Sequence, residues 1–527
     1  MRDGPAGEAA IETVGDILTR HARERAGHEA LVFEGERITY GALDERANRV
    51  AQGLLAAGVQ PGDRIAHFGQ NGAAYFELLF AAARIGAVMT SLNWRLAAPE
   101  LATLLGDSRP PVLVFDQAFA PLVAEALAAL EERPRLLLVT DAEDDGAAQG
   151  WARWRARQPA EAPQCRPRPA DPLFLMYTSG TTGLPKGAEI SHKAVVLARR
   201  FEDEMRAHDP EFPLWGPDAV QLVQAPVFHL TGNVWALIGL YGGARLVIQR
   251  RFDPAAVLEA IARERITRMI LVPAMMQALL AHPAFGETDL SSLDCIYYGG
   301  SPTPLPLLTA AVRAFGGRLL QVYGMTEAGG SVSYLPPRDH DPDGRNPRMR
   351  SAGIPYPWVE IEIRDAAGRP LPPGEIGEIA VRTPTVMRGY AGRPEATAEV
   401  LKDGWLLTGD AGYRDADGYL YVVDRVRDMI ISGGENIYPA EVEAVLQRHP
   451  AVAEVAVIGT PSARWGEEVC AVVVPAPGAA PDPDELIAFA RGKIAGYKVP
   501  RRVVFVEALP RNATGKVLRR ELRRRFG

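Results

Sequence analysis

The sequence predicts an α/β fold. It should have a large N-terminal domain with two mainly parallel α/β sheets plus a small β unit, and a small α+β C-terminal domain. Three observations predict this. Short apolar runs alternate with helical patterns along most of the 527 residues. The character changes to short strands between Gly/Pro turns at 353–382. A fresh strand and helix pattern begins after residue 425.

The elements follow in order. "RIAHFG" (64–69) reads as a strand ahead of Ala73 to Ile85, where apolar residues recur at helical spacing. "PVLVFD" (111–116) precedes helix-like "FAPLVAEALAALEE". "RLLLVTD" (135–141), "ARLVIQ" (244–249), "RMILVP" (268–273) and "LDCIYYGG" (293–300) repeat the theme. Such near-continuous apolar strands suit parallel sheets covered on both faces. Asp141 to Pro172 is polar and Pro-rich and reads as a surface connection. Ala219 to Ala244 carries no formal charge, yet Pro226, His229 and Asn233 interrupt it. It reads as a buried strand running into a buried helix, since a membrane span needs about 20 predominantly apolar residues. "EIEIRD" and "GEIAVR" make the small antiparallel β unit. Beyond "GYLYVVDR" (418–425) come helix "PAEVEAVLQRHP", strands "VAEVAVIG" and "EEVCAVVVP", and helix "DELIAFARGKI". The boundary falls near Asp424 to Asp428, giving domains 1–424 and 425–527.

Composition narrows the function. With 47% apolar and 23% charged residues, a large core is expected and disorder is not. The 65 acidic residues outnumber the 58 basic ones, so no nucleic-acid partner is expected. Cys165, Cys295 and Cys470 form neither a CxxC pair nor a disulfide framework. Met1 to Ala10 lacks the apolar run of a signal peptide, so a cytoplasmic location is expected.

"LFLMYTSGTTGLPKGAEISH" (173–192) decides the chemistry. An apolar strand, Leu173 to Tyr177, enters a loop of Thr178, Ser179, Gly180, Thr181, Thr182, Gly183 and Lys186, and a helix starts near Ser191. Small residues let backbone N–H groups approach an anion, hydroxyls add donors, and lysine adds charge. This is a triphosphate clamp, but not a Walker A loop, because no glycine stands immediately before Lys186.

This loop resembles the signature of the adenylate-forming (ANL) superfamily, and of its acyl-CoA synthetase, fatty-acid–CoA ligase branch in particular. The resemblance continues in order through "APVFHLTG" (225–232), "YYGGSP" (297–302), "VYGMTE" (322–327), "LLTGD" (406–410), "VDRVRDMIISGGENIYPAEVE" (423–443) and "PRNATGKVLRR" (510–520). It implies an ATP-dependent enzyme that joins a carboxylate to the α-phosphate, releases pyrophosphate, and passes the acyl group to CoA. ATP, Mg²⁺ and CoA are the expected cofactors.

The resemblance also assigns residues. Lys516 would bridge the carboxylate and the α-phosphate, offsetting the repulsion of two anions. Glu327 and Thr178 would hold the metal, since Mg²⁺ takes carboxylate and phosphate oxygens together. Lys186 and Thr326 would contact phosphate. Tyr323 would stack on adenine within Gln321, Val322, Tyr323, Gly324, Met325 and Thr326. Gly299, Gly300, Ser301 and Pro302 would lie alongside, with Asp410 and Arg425 on the ribose. His229 would gate or line the carboxylate site. An aspartate is usual there when the substrate is an α-amino acid, so His229 argues against a buried ammonium. The acyl pocket would be lined by His229, Thr231, Trp235, Gly300 and Gly324, with Gly324 leaving it open beyond acetate. The C-terminal domain would be mobile, hinged at Arg427. Ser432, Gly433, Gly434, Trp465, Lys498 and Arg501 would meet CoA. The terminal "RRELRRR" (519–525) reads as a solvated helix end.

Medium-to-long fatty acids come first as substrates, aryl or hydroxycinnamic acids second, and short thio- or branched acids third. The small-molecule acid, ATP and CoA are the expected partners, without an integral membrane segment; homodimerisation stays open. The rival functions are a module loading a carrier protein, luciferase-like oxidation, and a catalytically silent fatty-acid-binding protein. The last would predict decay of the phosphate loop, Glu327 or Lys516, and all are intact.

Overall fold

The computed structural model describes residues 11–142, 148–178, 185–200, 202–425, 428–432, 435–462, 465–491, 493–511 and 517–527. The chain divides into two compact units. The first comprises Met1–Met349, Pro355–Glu360 and Arg382–Leu406; the second comprises Arg350–Ile354, Ile361–Val381 and Leu407–Gly527.

Among the described residues, the first unit is built on a nine-stranded and an eight-stranded sheet, the strands Ile354–Pro355 apart. In the larger sheet, Glu29–Phe33, Arg245–Ile248, Val220–Val223, Arg268–Leu271, Cys295–Gly299 and Leu319–Met325 run parallel in that order. Antiparallel Glu36–Thr39 and Gly330–Leu335 flank this parallel core. In the smaller sheet, Pro172–Thr178, Val88–Leu92, Arg64–Phe68, Val112–Asp116 and Leu136–Thr140 are parallel neighbours. The fold class expected from the sequence is the one observed. Val88–Leu92 and Val112–Asp116 are buried along their whole length, which is why they carry no polar alternation.

Helices start where local chemistry supplies a cap. Asp253 accepts from Ala256 N at 2.9 Å ahead of Pro254–Glu264, and Pro254 needs no N–H in the first turn. Ala73–Ile85 is buried on nearly every face, so its Glu77 needs partners. It accepts from Trp151 Nε1 at 2.8 Å and pairs with Arg155 and Arg46.

Two local expectations change, and a third holds. The Asp141–Pro172 connection contains a helix, Trp151–Ala156, whose Trp151 and Trp154 are buried. Two apolar rings outweigh a polar surround. The stretch before the helix at His192 is a strand, Lys186–Ser191, paired antiparallel with Pro172–Thr178 so that Thr178 faces Lys186. The uncharged 219–244 segment does form a strand and a helix, Val220–Val223 and Leu230–Tyr241. No described helix is long and apolar enough to cross a membrane.

In the second unit, Leu420–Arg425 pairs antiparallel with Trp405–Arg414, setting Asp410 opposite Arg425. A five-stranded sheet follows, in which Gly466–Pro475 lies between Val452–Ser462 and Ile430–Ser432 and also pairs with Arg502–Phe505. Helices Pro439–Leu446 and Pro483–Ala490 cover it through Val442, Val445, Leu446 and Leu486. The terminal helix Arg519–Phe526 is not simply solvated. Arg519 pairs with Glu443 at 2.8 Å and lies 3.8 Å from Asp424 and Asp428; Arg523 holds Asp428 at 3.0 Å. Asp428, Glu443 and Asp424 are acids inside this unit, and they draw the arginines inward.

Candidate active site

The hairpin Pro172–Ser191 carries Thr178 to the carboxyl end of the smaller sheet. The short turn Thr326–Ala328 carries Glu327 from the end of Leu319–Met325. They meet: Thr178 Oγ1 donates to Glu327 Oε1 at 3.1 Å. Gly329 makes the turn possible. Its φ is 75°, and a Cβ there would lie 2.0 Å from the Thr385 carbonyl oxygen. Met387 N donates to the Glu327 carbonyl at 2.9 Å, fixing the turn from below.

Tyr390 joins the cluster without having been singled out from the sequence. Its hydroxyl donates to Glu327 Oε1 at 2.9 Å, and Lys186 Nζ lies 5.2 Å from its ring centroid. Both hydrogen bonds land on Oε1, so Oε2 accepts none among the described residues. An aromatic between glycines in "RGYAGRP" was the available signal.

This donor set fits a magnesium ion carried by phosphate. Among the described residues no three His, Cys, Asp or Glu gather into a metal cluster. One carboxylate oxygen with phosphate oxygens is the usual Mg²⁺ arrangement and needs no such cluster.

Further polar atoms wait at the carboxyl ends of the parallel strands, where open α/β sheets bind ligands. Among the described residues, Gln224 Oε1, His229 Nε2 and Thr303 Oγ1 are buried without a hydrogen-bond partner, as is Gln321 Oε1 within Leu319–Met325. Gly299 lies against Val322: a Cβ would sit 2.2 Å from its carbonyl oxygen. Gly300 takes φ 81°, bending Ser301 and Pro302 away from the strand. Tyr323, Gly324 and Met325 pair with Ser333, Ser331 and Gly330 across a register shift. A Cβ on Gly324 would meet Gly330 O at 2.1 Å, so backbone fills the place where a side chain would project.

His229 stands at the N-cap position of Leu230–Tyr241 and packs on Phe228 with ring centroids 4.5 Å apart. Burial, then the charge of Arg95, pushes its pKa down to about 4. The loop before it is clamped from both sheets. Asn71 Oδ1 accepts from Val227 N and Asn71 Nδ2 donates to Ala225 O, each at 3.0 Å. Asn233 Nδ2 donates to Val227 O, and Tyr75 OH donates to Asn233 Oδ1 at 2.6 Å. Thr231 is exposed. Trp235 is buried, donates Nε1 to Leu222 O at 2.8 Å, and packs with Trp215 and Tyr297 at 5.7 and 5.2 Å.

In the second unit Asp410 is buried, its N–H bound to Thr408 Oγ1 at 3.1 Å. Ser432 pairs with Gly466, the residue after Trp465. Arg501 lies 5.0 Å over the Trp465 ring. Lys498 is held by Glu441 at 2.8 Å. Ser179, Gly180, Thr181, Thr182, Gly183, Arg427, Gly433, Gly434 and Lys516 lie outside the described residues.

Comparison with known proteins adds a second line. The AMP-binding enzyme family matches residues 18–391, and the AMP-binding enzyme C-terminal domain matches residues 441–516. The chain is 44% identical over 518 residues to a feruloyl-CoA synthase of Amycolatopsis sp, covering 98% of this chain and 99% of that one. It is 40% identical over 517 residues to the fatty acid–[acyl-carrier-protein] ligase ScoC of Streptomyces coeruleorubidus, covering 98% and 97%. Its structure is similar to the amide bond synthetase McbA from Marinactinospora thermotolerans, with TM-score 0.85, 34% identity, and 98% and 100% of the two chains covered.

Proposed function

We propose, from the premise that this chain belongs to the AMP-binding enzyme family, that it is an acyl-CoA ligase acting on a compact, ring-bearing carboxylic acid. The coarser part needs no proposal: it is an acid–thiol ligase that uses ATP, Mg²⁺ and CoA. The observation that carries the reading is the meeting of Thr178, Glu327, Lys186 and Tyr390 beyond the strand ends.

Two anions must approach in the first step, and pentavalent phosphorus must be stabilised. Glu327, through Oε2, and Thr178 would hold the magnesium ion, which supplies positive charge to the triphosphate. Lys186 adds a second cation. The unpartnered His229 Nε2 can donate to the substrate carboxylate, because a neutral imidazole with that nitrogen protonated is a donor. Lys516 supplies charge at the bond-forming oxygen, with Arg427 the pivot of residues 425–527. Glu441 neutralises Lys498, so Arg501 and Trp465 are the better candidates for CoA.

The compact tail follows from Trp235. A long chain threading between Leu230–Tyr241 and the sheet would have to displace a ring held by a hydrogen bond and two aromatic neighbours. Relatives named feruloyl-CoA synthase and indoleacetate–CoA ligase agree with this choice. A fatty acid is the second reading, favoured by the charge-free helix Leu230–Tyr241.

Pyrophosphate release is measured over fatty and aryl acids with and without CoA, and the thioester is identified by mass. Thioester formed only on holo-carrier protein overturns the CoA assignment. Lys516→Ala should abolish adenylate formation while thioester formation from supplied acyl-adenylate persists; equal loss of both half-reactions overturns its role.

A further inference from the structure

The helix Ala98–Ser108 ends in an acid, Asp107, one residue before its last. A carboxylate there faces the negative end of the helix dipole, so nothing in the helix itself calls for it. Its partners are tertiary. Tyr177 OH donates to Asp107 Oδ2 at 2.6 Å, and Arg393 Nη2 donates to Asp107 Oδ1 at 3.1 Å. They lie 70 and 286 positions away in the chain. Arg64 Nη1 donates to the Asp107 carbonyl at 3.3 Å, tying this helix end to the strand Arg64–Phe68.

Both partners border the Glu327 cluster. Tyr177 precedes Thr178 at the end of Pro172–Thr178. Successive side chains of a strand leave on opposite faces, so the grip on Tyr177 holds the strand end from the face that Thr178 does not use. Burial and the Asp107 carboxylate both push the Tyr177 pKa upward, so the phenol stays a donor at neutral pH. Arg393 closes the turn after Tyr390, its N–H donating to the Tyr390 carbonyl at 3.0 Å. Thr397 Oγ1 locks the same turn, donating to Arg393 O and accepting from Tyr390 N, each at 2.9 Å. The contacts form a ring. Asp107 holds Tyr177 and Arg393, and the adjoining Thr178 and Tyr390 hold Glu327 Oε1 at 3.1 and 2.9 Å. Every member belongs to the first unit.

We propose that Asp107 is a positioning residue for the metal-binding carboxylate, fixing from outside the two hydroxyls that aim Glu327. It acts through Tyr177 and Arg393, not on substrate or metal. The inference rests on the acyl-CoA ligase reading and deepens its ATP site. With the Asp107 carboxylate removed, the strand end and the 390–393 turn lose their common anchor. Thr178 and Tyr390 then hold Glu327 Oε1 more loosely, and Oε2 is no longer presented to Mg²⁺ in one direction.

The test reads binding as well as turnover. Without acid, titration calorimetry gives the dissociation constants of Mg·ATP and of metal-free ATP for the wild type, Asp107→Ala, Asp107→Asn, Tyr390→Phe and the Asp107→Ala/Tyr390→Phe double variant. Asp107→Ala should weaken Mg·ATP about fivefold and metal-free ATP by less than about twofold, as expected for losing charged hydrogen bonds that are partly exposed. Asp107→Asn keeps an acceptor for Tyr177 and should fall between this variant and the wild type. Groups in one network do not act independently, so the double variant should weaken Mg·ATP by less than the product of the single effects. In turnover, the half-saturating Mg²⁺ for pyrophosphate release should rise in Asp107→Ala, while the KM for the acid and thioester formation from supplied acyl-adenylate hold. Unchanged Mg·ATP binding in Asp107→Ala, equal weakening of both nucleotide forms, or a double variant equal to the product overturns the inference and leaves the ligase reading intact. A wild type that binds ATP no better with Mg²⁺ overturns the Glu327 metal site and this inference with it. A wild type that releases no pyrophosphate with any acid overturns the ligase reading, and the binding titrations still decide Asp107.

Discussion

Tyr390→Phe removes one hydroxyl and little else. The ring stays beneath Lys186 Nζ, and the Tyr390 N–H bond to Thr397 Oγ1 at 2.9 Å belongs to the backbone. What disappears is the 2.9 Å hydrogen bond onto Glu327 Oε1. Among the described residues, Thr178 Oγ1 then holds the carboxylate alone, at 3.1 Å. With one anchor the carboxylate rotates, and Oε2 no longer points in a fixed direction. A hydrogen bond to a charged group contributes roughly 1.5–3 kcal/mol, and the partial exposure of Glu327 puts this one near the low end. About 1.4 kcal/mol is tenfold in an equilibrium constant. The assay is initial-rate pyrophosphate release against Mg²⁺ at fixed ATP and acid. The half-saturating Mg²⁺ concentration should rise about tenfold, with folding stability changed by less than about 1 kcal/mol. An unchanged Mg²⁺ dependence, or tighter Mg²⁺ binding, would show that the hydroxyl does not orient the carboxylate, and the argument would fail.

Trp235→Ala should cost about 3–5 kcal/mol in urea unfolding, the usual range for emptying a buried aromatic site. If Trp235 walls the pocket, the same variant should gain activity on dodecanoate relative to cinnamate; an unchanged ratio makes it plain core. His192 gives a pH prediction. It is fully buried, accepts from Val14 N at 3.2 Å through Nδ1, and burial lowers its pKa from 6.5 to about 4. The unfolded chain therefore takes up this proton first. Stability is complete above the unfolded value and drains as pH falls toward the folded one, at up to about 1.36 kcal/mol per unit for one proton. His192→Gln should make the urea midpoint less steep in pH between these values, and an identical slope removes His192 as the cause.

The legible features were those written in contiguous residues. Strand Arg268–Leu271 is an apolar run, readable from a few neighbouring side chains. Thr178 and Glu327 were legible because each closes a dense motif, although their 3.1 Å meeting joins different sheets. Tyr390 was missed because one aromatic between turn residues has many bland explanations; only the folded chain brings it onto the carboxylate. Arg519 was misread for a related reason. In sequence it is one basic residue among many, and its partners Asp424, Asp428 and Glu443 lie far earlier in the chain.

The same distinction bears on how the acyl side of the site can change. The loop 225–229 owes its shape to Asn71 and Tyr75, 154 and 158 positions from the groups they bind at Ala225 and Asn233. These side chains come from the smaller-sheet half of the first unit, and they satisfy backbone groups that water cannot reach. An unsatisfied buried donor or acceptor costs about 1–3 kcal/mol, so the clamp resists drift. Thr231, beyond the clamp, is exposed. If Trp235 walls the pocket, specificity should therefore respond to substitution at Trp235 far more than to conservative substitution at Asn71 or Tyr75.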